Sequence, residues 1–172
     1  MTTDEKTPLV GIVMGSDSDL DIMRETAGIL NKFGIPFEIT VASAHRSPGR
    51  AAEFAANAKN RGMKVIVAGA GHAAHLAGAL AAQTSIPVIG VPIDSSALRG
   101  LDALLSTVQM PPGIPVATMA IGKPGAANAG ILAAQIIALS DPKFSDALDE
   151  YKREMNRKVQ QKAEKIQEEF RS

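Results

Sequence analysis

Three histidines, His45, His72 and His75, are the only imidazoles in this chain, and each follows an apolar, strand-like run and has small residues for neighbours. His45 belongs to Ser43-Ala44-His45-Arg46-Ser47-Pro48. Imidazole donates and takes protons near neutrality, and the adjacent guanidinium offers a planar fork to phosphate. Pro48 suits the first turn of a helix with Ser47 as its N-cap, which leaves His45 and Arg46 in the loop at a strand's carboxyl end. That pair reads as a proton shuttle beside an anion anchor, with a purely structural loop histidine as the alternative.

Two further loops could complete such a site. Gly15-Ser16-Asp17-Ser18-Asp19 offers a tight turn, two hydroxyls and several backbone N–H groups to an anion. Asp19 either caps the next helix or accepts from a sugar hydroxyl, and as an ordinary cap the stretch needs no ligand. It lacks the spaced glycines and the lysine of a Walker A loop or a dinucleotide fingerprint. Ala68-Gly69-Ala70-Gly71-His72-Ala73-Ala74-His75-Leu76-Ala77-Gly78 lets main chain lie against a flat ligand and turns N–H groups toward a carboxylate. His72 and His75 are three apart, but no acid or cysteine accompanies them, so a metal pair has little support. Ser95 and Gln109 are candidates to close a pocket, Lys123 to approach an anionic ligand, and Asn128 to bond inside an apolar helix. None of Ser16, Ser43 and Ser95 sits in a Gly-x-Ser-x-Gly elbow, so a covalent serine mechanism is not expected.

The elements that must position these loops are five Val/Ile-rich runs at 9–14, 37–42, 64–68, 86–91 and 114–121. Helical spacing fills 19–33, 48–61 and 73–83, the pattern of right-handed crossovers between parallel strands. Nearly continuous apolar strands imply that both sheet faces are covered, giving a three-layer α/β/α sandwich with ligands at the strands' carboxyl ends. Residues 125–139 are apolar almost all round, which in so short a chain suggests a place in an assembly. Past Ser140-Asp141-Pro142 the chain turns strongly charged, with an apolar stripe over 143–170 that predicts an extended C-terminal helix against a neighbouring subunit or its own domain.

With 172 residues the expectation is one domain, 1–172, with a core at about 9–140. Eighteen basic and eighteen acidic side chains cancel, so the electropositive footprint of a nucleic-acid binder is missing and a small ligand is expected. The absence of cysteine removes disulfides and thiolate chemistry and suits a reducing cytosol. The N-terminal stretch does not read as a signal peptide, and no apolar run is long enough for a membrane span, so a cytoplasmic protein is expected.

The segments MGSDSD (14–19), SAHRSP (43–48), AGAGHAAHLAG (68–78), GVPIDSSALRGLDALLSTVQMPPGIPVATMAIG (90–122) and NAGILAAQI (128–136), in this order, resemble the class I form of the bacterial PurE family. The resemblance covers about residues 9–140 and implies a flavodoxin-like fold, an octamer with sites built between subunits, and no metal, ATP or organic cofactor. The implied reaction rearranges 5-(carboxyamino)imidazole ribonucleotide into 4-carboxy-5-aminoimidazole ribonucleotide. It further implies that His45 is the general acid and base, that Arg46 with Ser16 and Ser18 holds the 5′-phosphate, and that Asp19 takes the ribose hydroxyls. Ser43, Ala44, Gly71, His72, Ala73, His75 and Leu76 would line the base and carboxylate end. The chain departs from the family pattern at His72, where glycine is usual, at Ala77, usually proline, and at Leu20, commonly tryptophan. The His72 side chain is expected to point outward.

Overall fold

The computed structural model describes residues 7–171; residues 1–6, on which part of the reading of the N-terminus rests, lie outside them. Five strands form one parallel sheet: β1 (Val10–Met14), β2 (Phe37–Val41), β3 (Val65–Gly71), β4 (Val88–Ile93) and β5 (Ala117–Thr118), in the order β2-β1-β3-β4-β5. Six helices accompany them: α1 (Leu20–Phe33), α2 (Pro48–Ala58), α3 (Leu76–Ala81), α4 (Leu101–Val108), α5 (Lys123–Ala138) and α6 (Pro142–Glu169). This is the expected flavodoxin-like three-layer arrangement with a long C-terminal helix.

Every residue of β1 and β4 is buried, because side chains alternate between two covered faces. Val10, Ile12 and Met14 meet one layer, formed by Met23 and Leu30 of α1 and the alanines of α5. Val13, Ile66 and Ala68 meet the other, formed by α2 and α3. Since all strands run in parallel, their carboxyl ends share one edge of the sheet. The chain leaves β1 outward to β2 and then returns across it to β3, so the crevice opens above the tip of β1.

Two expectations change. β5 is two residues long rather than spanning 114–121. A longer strand would have to pair with Pro92, which has no N–H to give; the Pro92 carbonyl instead accepts from Gly122 N at 2.9 Å. The region between Ser95 and Gln109 also holds a helix, α4, that the spacing did not announce. Its inward residues are small, Ala103 and Thr107, whereas Leu101 and Leu105 are 52% and 50% exposed, the reverse of an ordinary amphipathic pattern.

Helix α6 begins with Pro142 after Asp141, whose side chain accepts from Lys143 N at 3.0 Å. Phe144 and Leu148 are buried in the core, and the ring of Tyr151 meets Phe33 edge-on at 5.5 Å. Beyond, Met155, Val159, Ile166 and Phe170 are exposed. Glu154 joins the helix to α1 through Lys32 at 3.1 Å and also pairs with Lys158 at 2.8 Å. Hydrogen bonds from the two ammonium groups lower its pKa from 4.5 to about 2. A carboxyl depressed on folding stabilises the folded state above its unfolded pKa, and that support is lost as pH falls. Acid titration of the intrinsic fluorescence of Tyr151, the only tyrosine in a chain without tryptophan, is therefore expected to report loosening of α6 between pH 4.5 and about 2. In Glu154→Gln that transition should be missing; an unchanged titration would show that the pair does not hold the helix.

Candidate active site

The loop after β2 is a closed turn. Ser47 N donates to Ser43 O at 3.0 Å, Ser43 N donates to Ser47 Oγ at 2.9 Å, and Arg46 N donates to Ser43 Oγ at 3.1 Å. Ser47 occupies the N-cap position of α2 as expected, but its hydroxyl turns back to the loop instead of capping the helix. The three bonds present His45 and Arg46 to solvent at the sheet's carboxyl edge. From there Arg46 Nη2 donates to the carbonyl of Gly15 at 2.9 Å, which fixes the guanidinium over the loop after β1.

That loop is a capping box. Ser16 Oγ accepts from Ser18 N at 3.4 Å, and Asp19 Oδ2 accepts from Ser16 N at 3.0 Å, closing a single 3₁₀ turn that leads into α1. Asp19 is only 4% exposed. Burial raises the pKa of its carboxyl above 3.8, opposed by the Ser16 N–H and by the positive charge of Arg46 and His72. A buried carboxylate beside a guanidinium keeps one oxygen on the backbone and has lone pairs left for a hydroxyl.

On the far side of β1, β3 continues to Gly71, three residues past its expected end at 68, pairing Ala70 with Pro92 and Gly71 with Ile93. The chain then turns into α3 through His72 and His75. His45 Nε2 and His75 Nδ1 lie 2.9 Å apart with their rings at 84°, joined by one hydrogen bond. A single proton serves that bond, so the two rings hold complementary tautomers: when His45 Nε2 carries it, His75 Nδ1 accepts, and conversely. The strands that carry the two rings, β2 and β3, lie about two strand spacings, or roughly 10 Å, apart, so the paired side chains bridge the tip of β1.

His72 has φ 56°, the left-handed region that glycine enters freely, and this accounts for the glycine expected at this position. Its ring is exposed, yet it also borders the cavity, with Nδ1 3.4 Å from Ser95 Oγ.

These loops enclose a cavity of about 580 Å³. The twelve residues that the family resemblance assigns to the site, Ser16, Ser18, Asp19, Ser43, Ala44, His45, Arg46, Gly71, His72, Ala73, His75 and Leu76, all line it, as do Ser95, a further candidate from the sequence, and Gly15 and Ala70. Lys123 does not; it pairs with Asp21 of α1 at 2.9 Å. Asn128 is exposed rather than bonded within an apolar helix, and Gln109 and Met110 lie outside the cavity wall. The direct contact of His45 with His75 was not foreseen, since nothing in a sequence reports a ring-to-ring distance across 30 residues. One end of the cavity thus offers a guanidinium, two serine hydroxyls and a buried carboxylate to a phosphorylated sugar. The other offers coupled imidazoles between the small walls of Ala44, Ala70 and Ala73.

A family model described as AIR carboxylase matches residues 9–158. The N5-carboxyaminoimidazole ribonucleotide mutase of Pyrococcus horikoshii is 57% identical over 161 residues, 94% of this chain and 90% of that protein. The phosphoribosylaminoimidazole carboxylase of Candida albicans is 52% identical over 98% of this chain, which spans 29% of that longer protein. Among solved structures, Treponema denticola PurE superposes with a TM-score of 0.83 at 28% identity, covering 92% of this chain and 98% of that one.

Proposed function

The chain belongs to the AIR carboxylase family, and on that footing we propose that it is an isomerase of purine biosynthesis, converting 5-(carboxyamino)imidazole ribonucleotide into 4-carboxy-5-aminoimidazole ribonucleotide. The observation that carries this reading is the hydrogen-bonded pair His45 and His75 beside Arg46, in one cavity at the switch point of the sheet. The substrate's phosphate lies toward Arg46, Ser16 and Ser18, and its ribose toward Asp19. The imidazole ring then falls over His45, between Ser43 and Ala44 on one side and Gly71, Ala73, His75 and Leu76 on the other.

Protonated His45 gives its proton to the exocyclic nitrogen as the bond from that nitrogen to the carboxylate carbon breaks. The electron pair stays on nitrogen and CO2 is released into the cavity. C4 attacks the CO2, forming the new carbon–carbon bond, and neutral His45 takes the C4 proton, so the histidine ends as it began. Small and apolar walls at Ala44, Ala70, Ala73 and Leu76 keep CO2 within reach of C4, so that recapture competes with escape. Hydrogen bonding to His75 keeps the His45 ring oriented through both proton transfers.

The protein works in the cytoplasm as a homo-oligomer of eight copies. Exposed Leu98, Leu101, Leu105 and Val108 on and before α4 support burial against neighbouring copies, and among the described residues no helix is long and apolar enough to cross a membrane. A second reading, carboxylation of aminoimidazole ribonucleotide by free CO2, has the name of the Candida relative behind it. Ultraviolet assays in parallel separate the two. Rapid conversion of the carboxyamino substrate, with little conversion of aminoimidazole ribonucleotide in low bicarbonate, is the expected result; comparable conversion of both would favour the carboxylase.

A further inference from the structure

His72 stands where the backbone is left-handed, a conformation that costs a residue with a side chain more than it costs glycine. Its neighbour Gly71 is held just as closely: the Ser95 hydroxyl occupies the space that a Cβ at 71 would need. Both features have the same result. The glycine admits Ser95 from the loop after β4, and the left-handed turn swings the imidazole onto it, with Nδ1 3.4 Å from Ser95 Oγ. Nε2 has no protein partner among the described residues, and the ring borders the cavity from the same loop that carries His75. Asp19 from the loop after β1, His45 and Arg46 from the loop after β2, and His75 just before α3 line the same cavity.

We propose that His72 is a specificity-determining residue, whose imidazole, steadied by Ser95, donates from Nε2 to the carboxylate of the bound ribonucleotide and so favours carboxylated ligands over their carboxyl-free counterpart. This rests on the reading of the site as one for imidazole ribonucleotides. Arg46 and the serines grip phosphate in both kinds of ligand, so they cannot tell the two apart. A donor from the loop after β3 that meets the carboxylate can. A side chain that carries a backbone cost at a position suited to glycine is then retained for what its ring does.

The test is calorimetric binding of 4-carboxy-5-aminoimidazole ribonucleotide and of aminoimidazole ribonucleotide to the native chain, to His72→Gly and to Ser95→Ala. A charge-assisted hydrogen bond is expected to make the carboxylated ligand about tenfold weaker in His72→Gly, with aminoimidazole ribonucleotide changed by less than about twofold. Ser95→Ala should shift the same ratio in the same direction by a smaller factor. Relief of the left-handed strain should raise the Tm of His72→Gly by about 2–4 °C, so weaker binding cannot be put down to a damaged fold. An unchanged ratio of affinities in His72→Gly, or an equal loss for both ligands, would overturn the proposal while leaving the reading of the site intact. Failure of the native chain to bind either ribonucleotide would overturn both.

Discussion

Replacing His45 with asparagine is expected to lower turnover of the carboxyamino substrate by about a thousandfold or more while leaving ligand affinity within a fewfold of native. In the proposed mechanism one imidazole gives the proton that releases CO2 and takes the proton displaced from C4, so its loss removes proton transfer from two steps at once. Asparagine preserves a polar side chain of similar reach and leaves the Ser43–Ser47 turn, which is built from serine hydroxyls and backbone, untouched. Arg46 remains anchored on Gly15, and the phosphate subsite with it. Product formation by ultraviolet absorbance and calorimetric binding of 4-carboxy-5-aminoimidazole ribonucleotide measure the two arms. Near-native turnover in the variant would remove His45 from the chemistry, and joint loss of turnover and binding would make it a binding residue instead.

The largest effect on stability is expected from Gly125→Ala. Gly125 lies in the first turn of α5, and a Cβ there would fall on the carbonyl oxygen of Ala120 in the preceding segment. Backbone cannot rotate away as a side chain does, so either the segment or the helix must move. The helix has little freedom to do so: Ala126, Ala129, Ala133 and Ala134 are fully buried, and Thr26 Oγ1 of α1 donates to the carbonyl of Ala126 at 2.7 Å. Overpacking of this kind is expected to cost about 3 kcal/mol, a fall in Tm of about 6–12 °C for a chain of this size. Gly28→Ala is the matched control. Gly28 lies on the exposed side of α1 with nothing within 4 Å of its added Cβ, so alanine there should be neutral or gain about 0.5–1 kcal/mol. Calorimetric melting of both variants checks the contrast, and equal melting temperatures would show that the α5 contact yields easily.

The architecture and most of the site were legible because both are written in local patterns. Apolar runs of five to eight residues between helical periods describe a covered parallel sheet, and in such a sheet the loops after the strands share one edge by necessity. Ser16, Asp19, His45 and Arg46 could therefore be placed at one crevice without knowing the strand order, whereas His75 was assigned to it by the family resemblance. Helix α4 escaped because it breaks the rule by which helices are recognised: it turns Ala103 and Thr107 inward and leaves leucines outside, where other copies of the chain are expected to cover them. β5 was overdrawn because the absence of an N–H on Pro92 matters only once β4 and β5 are known to be neighbours.

What the sequence determined by itself is chemical: which side chains have the chemistry to move a proton, hold a phosphate or accept from a sugar, and that they follow strands. Tertiary structure decided their distances. The β2-β1-β3 order brings His45 and His75 to 2.9 Å over the tip of β1, and bulk at residue 71 would have kept Ser95 away from His72. Likewise, the left-handed φ of His72 belongs to the turn from β3 toward α3 and is a conformation that few residues other than glycine adopt. Local preference is a property of a few neighbouring residues, whereas a distance between two loops is set by everything packed beneath them.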